Sequence, residues 1–303
     1  MTGCFDIQVN GYAGVDFNDP LLTPDQFGLA CEALQADGVS HFLPTVITGS
    51  PQQMTRCLVA LRRCCSDVPL AQRMVAGFHI EGPFFPPQSG YIGAHPVEHA
   101  RPADIDFTAQ LLDAAGGMIK IFTLAPECDP DAVVTRFLSD QQVCVSAGHT
   151  NASLEQLRRA IDAGLRMFTH LGNGCPVELP RHDNIIQRAL SLADKLHIGL
   201  IADGHHVPLF VLKNFLRSIP ADRIVITTDA IAAAGLGPGT YRLGDRTIRV
   251  RAGDAPRVDE SGQLAGSAAT MPELRRNLAA IGCSDDLIRL YCCQNPKEAL
   301  GFS

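Results

Sequence analysis

One rhythm constrains this chain more than any other feature. A short apolar run, a loop and a helical pattern recur about eight times. The runs are Phe5–Val9, His41–Pro44, Met74–His79, Met118–Thr123, Val143–Ser146, Met167–Thr169, Ile198–Ala202 and Ile224–Thr228. Continuous apolar runs suit strands covered on both faces. Helix starts fall between them. Thr23-Pro24-Asp25-Gln26 offers a cap, a proline at the first helical position and a glutamine at the third; Ser50-Pro51-Gln52-Gln53 repeats it. Asp129-Pro130 and Ser153-Leu154-Glu155-Gln156 are further starts. Strands alternating with helices through right-handed crossovers form a parallel sheet. Eight such units predict a closed (β/α)8 TIM-type barrel, and 303 residues suit one. A doubly wound open sheet is the alternative, but no Gly-x-Gly-x-x-Gly follows a strand and no Walker A sequence is present.

After the eighth run the rhythm breaks. Thr240–Arg251 alternates like a hairpin and Pro256–Ala265 is rich in turns. Helices are expected near Met271–Ile281 and Asp285–Cys292. No composition shift marks a boundary, so residues 1–303 read as a single catalytic domain.

With 46% hydrophobic and 19% charged residues, the chain can fill a core of barrel size. Its net charge of −7 argues against nucleic acid as a partner, because phosphate binding needs clustered Lys and Arg. No run of about 18 apolar residues exists, so no membrane span is expected. The opening Met1–Asp6 lacks a basic region followed by an apolar stretch, so no export signal is expected. The 11 cysteines form no Cys-x-x-Cys pair and read as reduced thiols, hence a cytoplasmic protein.

Polar residues just past barrel strand ends are candidates for chemistry. Here they collect at most ends: Gln8 and Asn10; His79-Ile80-Glu81; Gly148-His149; His170 with Asn173; Asp203 with His205 and His206; and Asp229. A lone histidine or aspartate after a strand is usually structural or a helix cap. The joint pattern is different. Two His, one Glu and one Asp follow different strands, and closure points them at one centre. Two His and one Glu form a catalytic zinc set that keeps a position for water. The Asp then suits the base.

His79-Ile-Glu81-Gly-Pro83, Gly148-His149-Thr150, Phe168-Thr169-His170-Leu171, Ile201-Ala-Asp-Gly204 with His206-Val207, Thr228-Asp229-Ala230 and Leu264-Ala-Gly-Ser-Ala-Ala-Thr-Met271 occur in that order. As an ordered set they resemble the motifs of N-acetylglucosamine-6-phosphate deacetylases, in the amidohydrolase superfamily. The resemblance implies metal-dependent hydrolysis of the acetamide of N-acetylglucosamine 6-phosphate to glucosamine 6-phosphate and acetate. It implies Glu81, His149 and His170 as ligands of one divalent metal per subunit, zinc first, with Fe2+ or another divalent ion as alternatives. Asp229 matches the catalytic aspartate, and His95 the histidine that polarises the acetyl carbonyl. Asn173 and Gly174 match backbone that contacts the sugar phosphate, and His206 and Arg181 match side chains that bind it. The family's arginine comes from the neighbouring subunit, so a homodimer is implied.

The chain also departs from the pattern. Many amidohydrolases carry His-x-His on the first strand for a second metal, and here that slot is Gln8-Val9-Asn10. Amides are poor zinc ligands, which argues for one metal. After His170 the sequence is Leu-Gly-Asn-Gly-Cys, where the family has an aromatic before the Asn and Ala-Met after it. The family's small β-sandwich, built from both termini, is expected to be absent. The loop Gly82–Pro96 reads as a lid or as a rigid surface loop. His41, His99, His182, His197 and Lys120 read as structural or surface residues. Two other functions stay open: hydrolysis of a different amide or N-acetyl sugar phosphate, and non-catalytic sugar-phosphate binding.

Overall fold

A computed structural model describes residues 3–302, so Met1 and Thr2 of the segment read for an export signal, and Ser303, lie outside it. Eight strands run in chain order around one sheet: β1 (Cys4–Val9), β2 (Val39–Ile47), β3 (Phe78–Glu81), β4 (Ile119–Leu124), β5 (Cys144–Ala147), β6 (Leu165–Phe168), β7 (His197–Ile201) and β8 (Ile224–Thr227). Each pairs in parallel with the next. Leu43, Ile121, Met167 and Val225, one each from β2, β4, β6 and β8, pack in one buried cluster with Phe5 and Ile7. Strands on opposite sides of a sheet touch this way only across a closed interior, and four residues from alternate strands are a barrel layer. The expected (β/α)8 architecture is the observed one.

The seam between β1 and β8 is closed mainly by side chain. Val9 and Ala230 form one parallel bridge. Beside it, the buried Asp6 carboxylate accepts from Thr227 Oγ1 at 2.6 Å and from the Thr228 backbone N–H at 3.1 Å. Burial pushes the Asp6 pKa up, against the pull of these hydrogen bonds.

Helices start where their caps place them. Thr23 and Gln26 form a capping box on Pro24–Ala36, as do Ser153 and Gln156 on Leu154–Asp162, and Ser50 caps Pro51–Asp67. Three boundaries differ most from the sequence reading, and one of them is the second strand, which runs Val39–Ile47 and not His41–Pro44. The third strand starts at Phe78, because Pro69–Met74 is a helix whose Ala71 and Met74 are buried. A short apolar run does not distinguish buried helix from buried strand. The Asp129-Pro130 start is displaced: the helix is Val133–Asp140. Asp129 still caps it from outside, accepting from the N–H groups of Val133, Val134 and Thr135 at 2.9, 3.2 and 2.8 Å.

Beyond β8 the hairpin becomes a three-stranded antiparallel sheet, β9 (Gly239–Leu243), β10 (Arg246–Val250) and β11 (Arg257–Val258). Its apolar face packs Leu243, Ile248 and Val258 against Ile47 and Ile231 in a second core. The sheet therefore stands over the mouth of the barrel. The last expected helix is broken into Asp285–Arg289, a π-helical turn Leu290–Gln294, and Asn295–Ala299. Pro296 has no N–H to give the ladder there. Among the described residues, no helix is long and apolar enough to cross a membrane, and no cysteine is in a disulfide.

Candidate active site

A cavity of about 490 Å3 opens at the C-terminal ends of the strands. Its wall includes Asn10, Glu81, His95, His149, His170, Asn173, Gly174, His206 and Asp229, so all but one of the expected site residues are brought together. Arg181 is the exception: it is exposed and lies outside the wall. The wall carries no Lys or Arg. Leu243, Gln263, Leu264 and Gly266, from the segment that carries the small sheet, complete it.

Three of the site residues sit in left-handed backbone just past their strands: His149 (φ 52°), His170 (φ 31°) and Asp229 (φ 51°). For residues with a Cβ this conformation costs on the order of 1–3 kcal/mol and is retained where the surroundings require it. Here it turns each side chain from the strand line into the cavity.

Glu81 is the hub. Its Oε1 accepts from Gln8 Nε2 at 2.9 Å and lies 2.8 Å from His170 Nε2 and 3.3 Å from His149 Nε2. Its Oε2 lies 3.5 Å from His95 Nε2. Burial alone would raise its pKa, but the contacts from His149, His170 and His95 outweigh that and hold Glu81 well below the usual carboxylate range. Burial lowers His149 to about 4, with His95 adding to the effect. Burial works in the same direction on His170, yet the Glu81 contact raises it.

Asp229 Oδ1 accepts from Asn10 Nδ2 at 2.7 Å. Burial, then the charge on Glu81, pushes Asp229 up to about 7. His206 Nδ1 lies 2.7 Å from Asp203 Oδ2, and Asp203 Oδ1 takes the backbone N–H groups of His205 and His206, both at 2.9 Å. Against burial, the His206 contact holds Asp203 below its ordinary value.

His79 serves the floor of the site. Its Nδ1 donates to the Ile7 carbonyl at 3.0 Å, and its Nε2 takes the Thr123 hydroxyl at 2.8 Å. Thr169 and Ser146 continue the chain of hydroxyls at 2.8 and 2.6 Å. Lys120 is remote, its ammonium 6.0 Å from the ring of Phe302.

Two residues that hold the site's histidines were missed by sequence reasoning. The Tyr91 backbone oxygen lies 2.6 Å from His149 Nδ1; a main-chain acceptor has no sequence signal. Thr48 Oγ1 lies 2.9 Å from His95 Nδ1. Reading the second strand through to Ile47 would have marked Thr48 as the polar residue at its end.

The one close donor group among the described residues is not the set expected from sequence. Atoms of Glu81, His95 and His149 all lie within 4.8 Å of one another. The set expected from sequence, Glu81, His149 and His170, shares the single oxygen Oε1.

No family model matches the chain. An N-acetylglucosamine-6-phosphate deacetylase of Bacillus subtilis is 32% identical over 305 residues, covering 100% of this chain and 75% of that protein. The chain belongs to the N-acetylglucosamine-6-phosphate deacetylase family. An N-acetylgalactosamine-6-phosphate deacetylase of Escherichia coli O157:H7 is 34% identical over 91% of this chain and 71% of that protein. A deacetylase of the family from Mycobacterium smegmatis, solved in complex with N-acetyl-D-glucosamine-6-phosphate, superposes with a TM-score of 0.90 at 31% identity. That match covers 99% of this chain and 77% of the solved chain.

Proposed function

We propose that the chain hydrolyses the acetamide of N-acetylglucosamine 6-phosphate, releasing glucosamine 6-phosphate and acetate. Family membership carries the reaction class. The observation that carries the site is the convergence of His149 Nε2 and His170 Nε2 on Glu81 Oε1, in the cavity that also holds Asp229.

The donor set fits a divalent metal. His149 spends Nδ1 on the Tyr91 carbonyl, which leaves the Nε2 lone pair for a ligand bond. Glu81 is ionised and buried among imidazoles. Glu81, His149 and His170 are the residues we assign to one metal per subunit, zinc by ligand type. A divalent metal held there polarises an acyl oxygen and makes water acidic near neutral pH.

The chain's own residues do the rest. Asp229 takes a proton from the attacking water as its oxygen bonds to the acyl carbon. His95 faces the developing negative charge on the acyl oxygen. The carbon–nitrogen bond then breaks, and Asp229 returns the proton to the leaving nitrogen. Asn173, Gly174 and His206 hold the sugar phosphate. Because the wall has no Lys or Arg, we assign the phosphate's cationic partner to Arg181 of a second subunit of a homodimer. Residues 1–303 act as one cytoplasmic (β/α)8 unit in this reading.

The test is acetate release from N-acetylglucosamine 6-phosphate, N-acetylgalactosamine 6-phosphate and unphosphorylated N-acetylglucosamine, with elemental analysis of the same sample. Turnover of the first substrate with one metal per chain is expected. No turnover of any of the three would overturn the reading.

A further inference from the structure

Three histidines face one carboxylate, yet they do not offer it the same thing. A neutral imidazole carries one proton, and the partner of one ring nitrogen decides the state of the other. The partner of His149 Nδ1 is the Tyr91 carbonyl, which only accepts, so the proton is on Nδ1 and Nε2 is bare. The partners of His95 Nδ1 both belong to Thr48. The Thr48 backbone N–H, 3.4 Å away, only donates. The Thr48 hydroxyl, 2.9 Å away, has two acceptors in reach, and the Glu81 backbone oxygen at 3.3 Å is the farther one. The backbone N–H directs hydrogen at Nδ1, and the hydroxyl joins it when its one proton is on the nearer acceptor; on the other side of the ring, Glu81 Oε2 only accepts. The ring proton is left on Nε2, which faces Glu81 Oε2.

We propose that Thr48 is a positioning residue: it holds His95 in the Nε2–H tautomer, so that His95 donates to the acyl oxygen instead of joining Glu81 and His149 as a ligand. The proposal rests on the deacetylase reading above.

The surroundings keep Thr48 in place. It follows directly on β2 and is buried. Gly82 gives it room: a Cβ there, in left-handed backbone at φ 84°, would lie 2.2 Å from Thr48 Oγ1. Phe85 meets the His95 ring edge-on at 5.1 Å. Phe85 thus sets the plane of the ring and Thr48 sets its proton.

The test uses zinc-loaded full-length protein with 15N-labelled histidine, comparing the parent with Thr48→Val and Thr48→Ser. Long-range 15N–1H correlation spectra report each tautomer, and His95→Gln identifies the His95 signals. The expected parent spectrum has the proton on Nε2, retained in Thr48→Ser and shared between both nitrogens in Thr48→Val. Acetate release should show kcat falling roughly 3- to 10-fold in Thr48→Val. KM and zinc content should hold, and Thr48→Ser should recover most of the rate. In a His95→Gln background, Thr48→Val should cost nothing further. A parent His95 proton on Nδ1, or an equal loss from Thr48→Val without His95, overturns the proposal. If the parent releases no acetate from any substrate, the deacetylase reading fails by itself, and the spectra still decide what Thr48 does to His95.

Discussion

Gln8 donates from Nε2 to Oε1 of Glu81 at 2.9 Å, the oxygen toward which His149 and His170 also turn. An amide N–H thus stands where a second cation would need a lone pair. Asn10, two residues on, does the same to Asp229. Replacing both, as Gln8→His with Asn10→His, should raise bound metal from one to two per chain. Elemental analysis checks this, and a count that stays at one refutes it.

Asp229→Asn separates the base from a merely structural partner of Asn10. As a proton carrier, the residue cannot be replaced by Asn, and acetate release should fall roughly 10²- to 10⁴-fold. Bound metal and folding should persist, because Glu81, His149 and His170 are untouched. Near-normal turnover would remove Asp229 from the mechanism.

The same substitution has a pH signature in metal-stripped protein. The folded-state pKa of Asp229, about 7, lies above the ordinary 3.8. The folded chain therefore holds this proton more tightly than the unfolded chain does. The resulting stability is complete below 3.8 and is lost as pH rises through about 7. Asn at this position escapes the loss. Its Tm should match the parent's near pH 4 and exceed it by roughly 2 °C or more at pH 8. A difference independent of pH contradicts the shift.

Gly174 has no Cβ for a specific reason. One added there would lie 2.7 Å from His149 Nδ1, in backbone at φ 58°. Gly174→Ala should push the ring off the Tyr91 carbonyl and weaken metal binding roughly 10-fold or more. Titration with a competing chelator measures it; unchanged affinity would show that the Tyr91 contact is dispensable.

Arg181 is tested by mixing subunits. Arg181→Ala should raise KM roughly 10- to 100-fold with little change in kcat. Combined with Asp229→Asn in one dimer, it leaves one intact site if the arginine acts across the interface. At substrate well below the raised KM, the mixed dimer should therefore turn over faster than either variant alone. Its failure to do so, or a fully active monomer by light scattering, rules out the crossed arrangement.

The barrel was legible because its strands are buried on both faces and so read as unbroken apolar runs. The site was legible because side chains with only polar uses, Glu81, His149, His170 and Asp229, follow those runs directly. What escaped notice did so for physical reasons. Pro44 looked like the end of the second strand, yet the strand continues to Ile47, which hid Thr48. Tyr91 acts through a carbonyl that every residue owns. Leu243 and Leu264 look like ordinary core residues until the small sheet is seen to wall the cavity.

The Asp6 seam bears on how this chain can be born. Its partners, Thr227 and Thr228, lie 221 and 222 residues downstream. At a synthesis rate of roughly 5–20 residues per second, they leave the ribosome on the order of 10–45 s after Asp6 does. Through that interval the first strand has one edge unmatched and a carboxylate awaiting its hydroxyls. Closing the ring therefore waits until the eighth strand has been made. A nascent chain stalled before the eighth strand would present an open sheet edge, the form most prone to joining a second copy of itself.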